Sequence, residues 1–186
     1  LSAYAVYELP FGRGKALGRD MNKAASAVVG GWTFSPIVSY HTGFPMAING
    51  NTDPTGTGSR GARGDCNAIV HPQGRVPISG SGGIQWFTNP NNNAFTDPAT
   101  GQFGNCPAAL GWLRNPGYAN WDLSLQKNLQ LTERFKLQFR SDFLNAFNHV
   151  NLDAVSDGYV AVGATMGQIT SSQSPRNIQF ALKLYY

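Results

Sequence analysis

Apolar and polar side chains alternate with period two in several stretches of this chain, and the pattern fails between them. In the last stretch, Ile178, Phe180, Leu182, Leu184 and Tyr186 take one parity, while Asn177, Gln179, Ala181, Lys183 and Tyr185 take the other. Successive strand side chains point to opposite faces, so residues 176–186 predict a strand with one apolar and one wet face. From Asn120, Trp121, Leu123, Leu125, Leu129 and Leu131 oppose Asp122, Ser124, Gln126, Asn128 and Gln130. After Thr132-Glu-Arg134, Phe135, Leu137, Phe139, Phe143 and Phe147 oppose Lys136, Gln138, Arg140 and Asp142. These two runs predict an antiparallel hairpin over 120–147, because the link between them is too short for a parallel crossover, which needs about a dozen residues or more. Both runs are longer than the roughly five or six residues of ordinary soluble strands.

The N-terminal pattern is weaker. Residues 1–9 predict a strand carrying Tyr4 and Tyr7, and Pro10-Phe-Gly-Arg-Gly14 predicts a turn. Residues 15–29, rich in Ala after Asn22, read either as a short helix or as a turn leading into a strand. In 31–48, Trp32, Phe34, Val38 and Tyr40 share one parity and Thr33, Ser35, Ser39 and His41 the other. Pro36 interrupts that ladder and predicts an edge position or a bulge. Residues 49–119 are rich in Gly, Asn, Pro, Thr and Ser with little periodicity, and 148–175 are also irregular apart from a short strand at Gly167-Gln-Ile-Thr170. A structureless loop of the first length is uncommon inside a compact domain. It fits a barrel with long extracellular loops and short periplasmic turns. The expected organisation is one β-rich unit over 1–186. It has strands in 1–48, a long extracellular loop over 49–119, the hairpin over 120–147, a loop over 148–175 and a closing strand over 176–186.

Composition narrows the kind of β protein. Charged residues are 13% of the 186, about half the usual share for a soluble domain. Aromatics at 12%, with 22 Gly and 11 Pro, fit an outer-membrane or extracellular β protein better than a cytosolic enzyme. No run of eighteen apolar residues exists to make a transmembrane helix, but a barrel strand needs only about 9–11 alternating residues. The expected fold class is therefore all-β: antiparallel strands of an outer-membrane-type β-barrel, a partial one of about five long strands with long irregular loops. Its apolar barrel face is expected to hold Trp121, Leu123, Leu125, Phe135, Leu137 and Phe139, continued by Ile178, Phe180, Leu182, Leu184 and Tyr186. The net charge is +4 and the pI about 9.2. The basic residues are scattered, with local concentrations only at Gly12-Arg-Gly-Lys15 and Arg60-Gly-Ala-Arg63, so no nucleic-acid partner is expected. Residues 1–9 read as a strand without the basic start of a signal peptide. A strand beginning at the first residue is expected of a piece of a longer chain.

Candidate chemistry is sparse. Cys66 and Cys106 are the only cysteines, and an even count in an exported chain points to a disulfide, two free thiols being the alternative. His41, His71 and His149 show no ligand spacing. Asp53-Pro-Thr-Gly-Thr-Gly58 and Asp97-Pro-Ala-Thr-Gly101 resemble oxygen-rich turns that hold Ca²⁺, with a plain Asx turn as the other reading. Arg63-Gly-Asp65 spells an adhesion tripeptide, a match expected by chance in a Gly-rich loop. Gly12-Arg-Gly-Lys15 lacks phosphate-loop spacing, and no Gly-x-Ser-x-Gly elbow occurs. Asp122, Lys136, Arg140 and Asp142 are expected on the polar hairpin faces, and if the strands pair, some of them form cross-strand charge pairs lining a lumen. No enzyme, catalytic residue or cofactor is expected.

Short motifs in a fixed order carry a resemblance. Tyr7-Glu-Leu-Pro-Phe-Gly-Arg-Gly-Lys15, Gly30-Gly-Trp32, Thr42-Gly-Phe-Pro45, Trp86-Phe, Gly104-Asn105 and Arg114-Asn-Pro-Gly117 are followed by Asn120-Trp-Asp-Leu-Ser-Leu-Gln-Lys-Asn128, Leu137-Gln-Phe-Arg140 and Phe143-Leu-Asn-Ala-Phe-Asn-His149. Pro175 and the closing strand complete the series. Together they resemble the late barrel of TonB-dependent outer-membrane receptors, closest to the Oar-like subgroup that carries a carboxypeptidase-regulatory-like N-terminal domain. The resemblance implies a 22-stranded barrel with a plug, driven by the partner TonB, and transport of a large or scarce nutrient. It implies that this chain supplies barrel wall and ligand-contacting loops, with TonB engaged only through N-terminal parts not present here. The expected partners are the remainder of the receptor chain, or copies of itself, and outer-membrane lipid. The expected location is the bacterial outer membrane or cell surface.

Two further readings stand beside it. An exported structural subunit would self-assemble through strand edges into an oligomer or filament. A soluble sugar- or protein-binding β-sandwich would need neither lipid nor copies of itself.

Overall fold

The computed structural model describes residues 1–58, 62–155 and 166–186; part of the Arg60-Gly-Ala-Arg63 cluster and the middle of the 148–175 loop lie outside these. In chain order the elements are β1 (Ser2–Tyr4), β2 (Tyr7–Glu8), α1 (Lys23–Val29), β3 (Trp32–His41), β4 (Pro45–Met46), β5 (Asp65–Cys66), β6 (Val76–Pro77), β7 (Ile84–Gln85), a 3-10 turn (Pro90–Asn92), β8 (Phe95–Thr96), β9 (Leu110–Arg114), β10 (Tyr118–Gln130), β11 (Lys136–Leu144), β12 (Gln168–Ile169) and β13 (Asn177–Tyr185). They fall into two compact units. The wall unit is Leu1–His41, Ala119–Val150 and Ser174–Tyr186; the loop unit is Thr42–Tyr118 and Asn151–Gln173.

The wall is an open sheet in the order β1-β3-β10-β11-β13, with β2 also on β3. Its long strands neighbour one another in chain order, an up-and-down arrangement. β1 and β2 are one strand in register: Ser2, Ala3 and Tyr4 face Ser39, Val38 and Ile37, and Tyr7 and Glu8 face Phe34 and Thr33 without a slip. The break between them lies opposite Pro36. Ala5 N donates to Pro36 O at 3.1 Å, but a proline ring has no N–H to return the bond. The edge position or bulge expected at Pro36 is therefore not what forms. β3 runs through it unbroken, between β1 and β10, and the lost donor interrupts the neighbouring strand instead.

β10 and β11 form the expected hairpin, in register from Leu123 opposite Phe143 to Gln130 opposite Lys136. The turn closes where Leu131 N and Thr132 N both donate to Phe135 O, at 2.9 and 3.2 Å. β13 pairs with β11 from Leu144 opposite Asn177 to Lys136 opposite Tyr185. At the other end of the wall, Asn145 and Asn148 take left-handed backbone angles, φ 49° and 52°, which Asn tolerates better than most residues. The Asn145 side chain is buried and ties this bend together. Its Oδ1 accepts from His149 N at 2.9 Å, and its Nδ2 donates to His149 O at 2.9 Å and Ser174 O at 3.3 Å. Asn148 Oδ1 accepts from Arg176 N at 3.0 Å, just ahead of β13.

The ambiguous stretch 15–29 resolves in part into a helix. Asn22 caps it, its Oδ1 accepting from Ala25 N at 2.7 Å. Gly31, at φ 73°, follows, and a side chain there would strike Asn128 O.

Residues 49–119 are not the plain loop their composition suggests. The loop unit has its own core, including Met46, Ile48, Phe87, Phe95, Leu110, Leu113 and Ile169. Phe87 and Phe95 meet edge to face at 6.0 Å. The backbone is held by short antiparallel pairings: β4 with β9, β5 with β8, and β6 with β7 with β12. β12 falls within the short strand expected at Gly167–Thr170. Gly43 lets the backbone pass where any Cβ would overlap Asn115 O.

The bend at Asn145 yields a first test. Asn145→Ala removes three hydrogen bonds at a buried site and puts a Cβ-bearing apolar residue at positive φ. It is expected to cost about 2–4 kcal/mol in urea unfolding. Asn145→Gly relieves the strain alone and should cost about 1 kcal/mol less. Equal losses would show that the backbone angle contributes nothing.

Candidate functional site

Directly paired residues in a sheet share a face, so the two registers arrange β10, β11 and β13 in rows. One face carries Leu123–Phe143–Ile178, Leu125–Ser141–Phe180, Lys127–Phe139–Leu182 and Leu129–Leu137–Leu184. The other carries Ser124–Asp142–Gln179, Gln126–Arg140–Ala181, Asn128–Gln138–Lys183 and Gln130–Lys136–Tyr185. The wall thus has an apolar face and a polar one. Trp121 extends the apolar face upward and stacks edge to face on Phe147 at 5.7 Å. Trp32 closes it at the short-turn end, edge to face on Phe139 at 6.4 Å. Along β10 the span from Trp121 to Leu129 is roughly 27 Å at about 3.4 Å per residue. At a tilt of about 40° it covers roughly 20 Å of the normal, near the apolar band of about 25 Å on outer-membrane barrels.

Two expected members of the apolar face lie beyond its strands. Phe135 precedes β11 in the turn, and Tyr186 follows β13; both sit at the border of the band. Two unexpected residues fall within it. Ser141 is buried in its row between Leu125 and Phe180. Lys127 occupies an apolar row but turns its ammonium out of it. Nζ donates to Val28 O at 2.9 Å and Gly30 O at 2.6 Å, and lies 4.9 Å from the centre of the Trp32 ring. Its signal in the sequence is the single charged residue in the run Leu123-x-Leu125-x-Lys127-x-Leu129.

On the polar face the expected charges arrange differently from the cross-strand pairs anticipated. Arg140 Nε meets Asp142 Oδ1 at 2.9 Å along the same strand. Asp122 accepts from the Asn145 backbone N and the Asn120 side-chain Nδ2, both at 2.9 Å. Neutral groups carry the cross-strand links: Gln138 Nε2 donates to Asn128 Oδ1 at 3.0 Å, Tyr185 Oη to Gln138 Oε1 at 3.3 Å, and the Ser124 hydroxyl to the Asp142 carboxylate opposite it. Such groups suit a wet surface, where an ion pair adds little.

In the loop unit Cys66 and Cys106 are disulfide-bonded, with Cα atoms 4.9 Å apart. Beside the bridge lies a cleft of about 470 Å³ bounded by Asn67, Ile69, Asn105 and Trp112. The Trp112 indole N–H is buried with no hydrogen-bond partner among the described residues. Arg63-Gly-Asp65 is built into the same region: Arg63 Nη1 donates to Cys106 O, and Asp65 Oδ1 accepts from Asn105 N.

Asp53 and Asp97 both receive backbone N–H groups. Asp53 accepts from Gly58 N at 2.7 Å, Thr57 N at 3.2 Å and the Thr55 hydroxyl at 3.3 Å; Asp97 accepts from Asn51 N at 2.6 Å. Desolvation pushes the Asp53 carboxyl up, but the Gly58 and Thr57 amides and the Thr55 hydroxyl outweigh it and hold it below its usual 3.8. The two Asp-Pro turns are joined where Gly101 N donates to Pro54 O at 2.7 Å. Among the described residues no three His, Cys, Asp or Glu side chains gather as metal ligands would.

A family model described as an outer membrane beta barrel domain matches residues 1–179. No curated protein matches, and no solved structure does.

Two measurements test the loop unit. Replacing Cys66 and Cys106 together by Ser should destabilise it by about 3–4 kcal/mol in the chain-entropy account of a loop this long. The readout is faster thermolysin cleavage between Thr42 and Tyr118; unchanged cleavage would mean the bridge adds no restraint. The depressed Asp53 carboxyl stabilises its turn at pH above the unfolded value and loses that effect as pH falls through the folded one. The Gly58 amide resonance should therefore stay fixed at neutral pH and move only below about pH 3.8.

Proposed function

The chain belongs to the outer-membrane β-barrel domain family and is a barrel-type protein of the bacterial outer membrane; on that premise we propose that it is the C-terminal barrel portion of a TonB-dependent receptor of the Oar-like kind. The observation that carries the reading is the ordered series of motifs from Tyr7 to Tyr186, together with a sheet of five strands, β1 and β2 counted as one, that is open at both edges among the described residues. Five strands fall below the eight of the smallest single-chain barrels. Closure therefore needs further strands, which a receptor supplies from its own chain. In this role the apolar face meets lipid, the polar face lines the lumen, and the loop unit contacts the ligand outside the cell. The contribution is structural and binding, without a catalytic step or cofactor, and TonB acts through the N-terminal parts of the receptor.

The open edges favour a second reading. β13 is exposed along its whole length, and an uncovered edge strand templates pairing with another chain. Copies of this chain would then complete the sheet.

The mass of the native particle separates the two. A receptor gives one continuous polypeptide far larger than 20.0 kDa, soluble only in detergent and cross-linking to TonB in cells. A particle that is a multiple of 20.0 kDa and persists without detergent would replace the receptor by the self-assembled subunit. The facing of the wall has its own check. Leu182→Arg should cost about 2–4 kcal/mol near the bilayer midplane, and Lys183→Gln little, by urea unfolding in lipid. Similar costs for both would sink the assignment of faces.

A further inference from the structure

Residues 9–31 join β2 to β3 at the short-turn end of the wall, the periplasmic end in a barrel of this family. The connection is unusually long for that side, and it is fastened to the apolar face. Lys127 and Trp32 both belong to that face, and both donate to the C-terminal carbonyls of α1, Trp32 Nε1 reaching Val28 O at 3.1 Å. The helix thus lies on the lipid side of the wall, at the border of the apolar band.

Its exposed surface is of two kinds. Leu17 and Val28 stand 52% and 69% exposed, on a connection fastened to the apolar face. The same segment carries Arg13, Arg19 and Lys23, with Asp20 the one acid in 9–31. Lys15 is partly neutralised by Glu8 at 3.3 Å. Seven of the fourteen Lys and Arg lie in 8–31 or 127–136, against three of the ten Asp and Glu. The whole +4 of the chain therefore sits at this end, and the remainder is balanced. A hollow of about 160 Å³ bounded by Phe11, Arg13, Lys15, Ser26 and Leu129 opens beside two of the cations.

We propose that residues 9–31 are an interfacial anchor that binds anionic phospholipid headgroups of the periplasmic leaflet through Arg13, Arg19 and Lys23, with Leu17 and Val28 seated at the acyl border. Apolar contact and basic charge add together in surface elements of this kind. Charge selects the occupant: a cationic rim continuous with a lipid-facing surface meets the phosphate of an anionic lipid first. The inference rests on the barrel reading and its orientation, and is independent of the receptor assignment.

The test uses the full-length outer-membrane protein in nanodiscs and in mixed micelles. Retention of dioleoylphosphatidylglycerol over dioleoylphosphatidylcholine is read by native mass spectrometry. The wild type should prefer the anionic lipid, and 0.5 M salt should weaken that preference, since exposed charges are screened over roughly 5 Å or less at such ionic strength. Combining Arg13→Gln, Arg19→Gln and Lys23→Gln should reduce the preference by about five-fold for each charge removed. Lys183→Gln, on the polar face, should leave it unchanged. Heat-modifiable gel migration reports separately whether each protein is an inserted barrel. An inserted wild type without lipid preference, or a triple variant that keeps it, would overturn the anchor while leaving the barrel standing. A wild type that does not insert would overturn both.

Discussion

In hydrocarbon no water is present to satisfy backbone N–H and C=O groups, and each one left unpaired costs several kcal/mol. That constraint organises the wall. Strands β10, β11 and β13 hold an unbroken register over eight successive rows, because a slip of one residue would exchange the apolar and polar faces of the whole strand. Where the ladder loses a donor, at Pro36, the damage is local. The strand pair keeps its register on either side, so faces remain aligned from Ser2 to Glu8.

Charges in the wall obey the same constraint. Lys127 stands in an apolar row, but close enough to the strand end for its flexible stem to carry the ammonium to two helix carbonyls and the face of Trp32. It satisfies acceptors that α1 leaves open at its C-terminus, and ties the connection 9–31 to the sheet. Asn145 does comparable work at the other end. One side chain supplies the donors and acceptor that hold a left-handed bend, and its neighbour Asn148 receives the first amide before β13. The motif Phe143-Leu-Asn-Ala-Phe-Asn-His149 is thus a structural device that aligns β13 with β11.

The loop unit answers a different problem. In water a long polar segment has little apolar surface to offset the entropy of ordering it. Here a small set of large side chains, spread singly through Gly- and Asn-rich sequence, converges on one core, and the Cys66–Cys106 bridge shortens the loop that must be ordered. Carboxylates fix the turns: Asp53 spends its oxygens on amides of its own turn, and Asp97 accepts from Asn51 N and so ties its turn to the segment ahead of Asp53.

The strands of the wall were legible because period two is a property of neighbouring residues. Anyone reading Trp121 to Leu129 or Ile178 to Leu184 sees which face is apolar, and the low charge and many aromatics made a lipid-facing surface the expectation. The hairpin and the pairing of Cys66 with Cys106 followed from short connections and an even count. Tertiary structure alone decided the rest. Apart from β9, the core of the loop unit uses strands of two residues, too short to show any alternation, and it joins Met46 to Ile169 across more than half the chain. The escape of Lys127 from its row, the in-strand pairing of Arg140 with Asp142 and the burial of Asn145 depend on what lies opposite in space. Local pattern determines which way a side chain points; only the packed fold determines what it meets there.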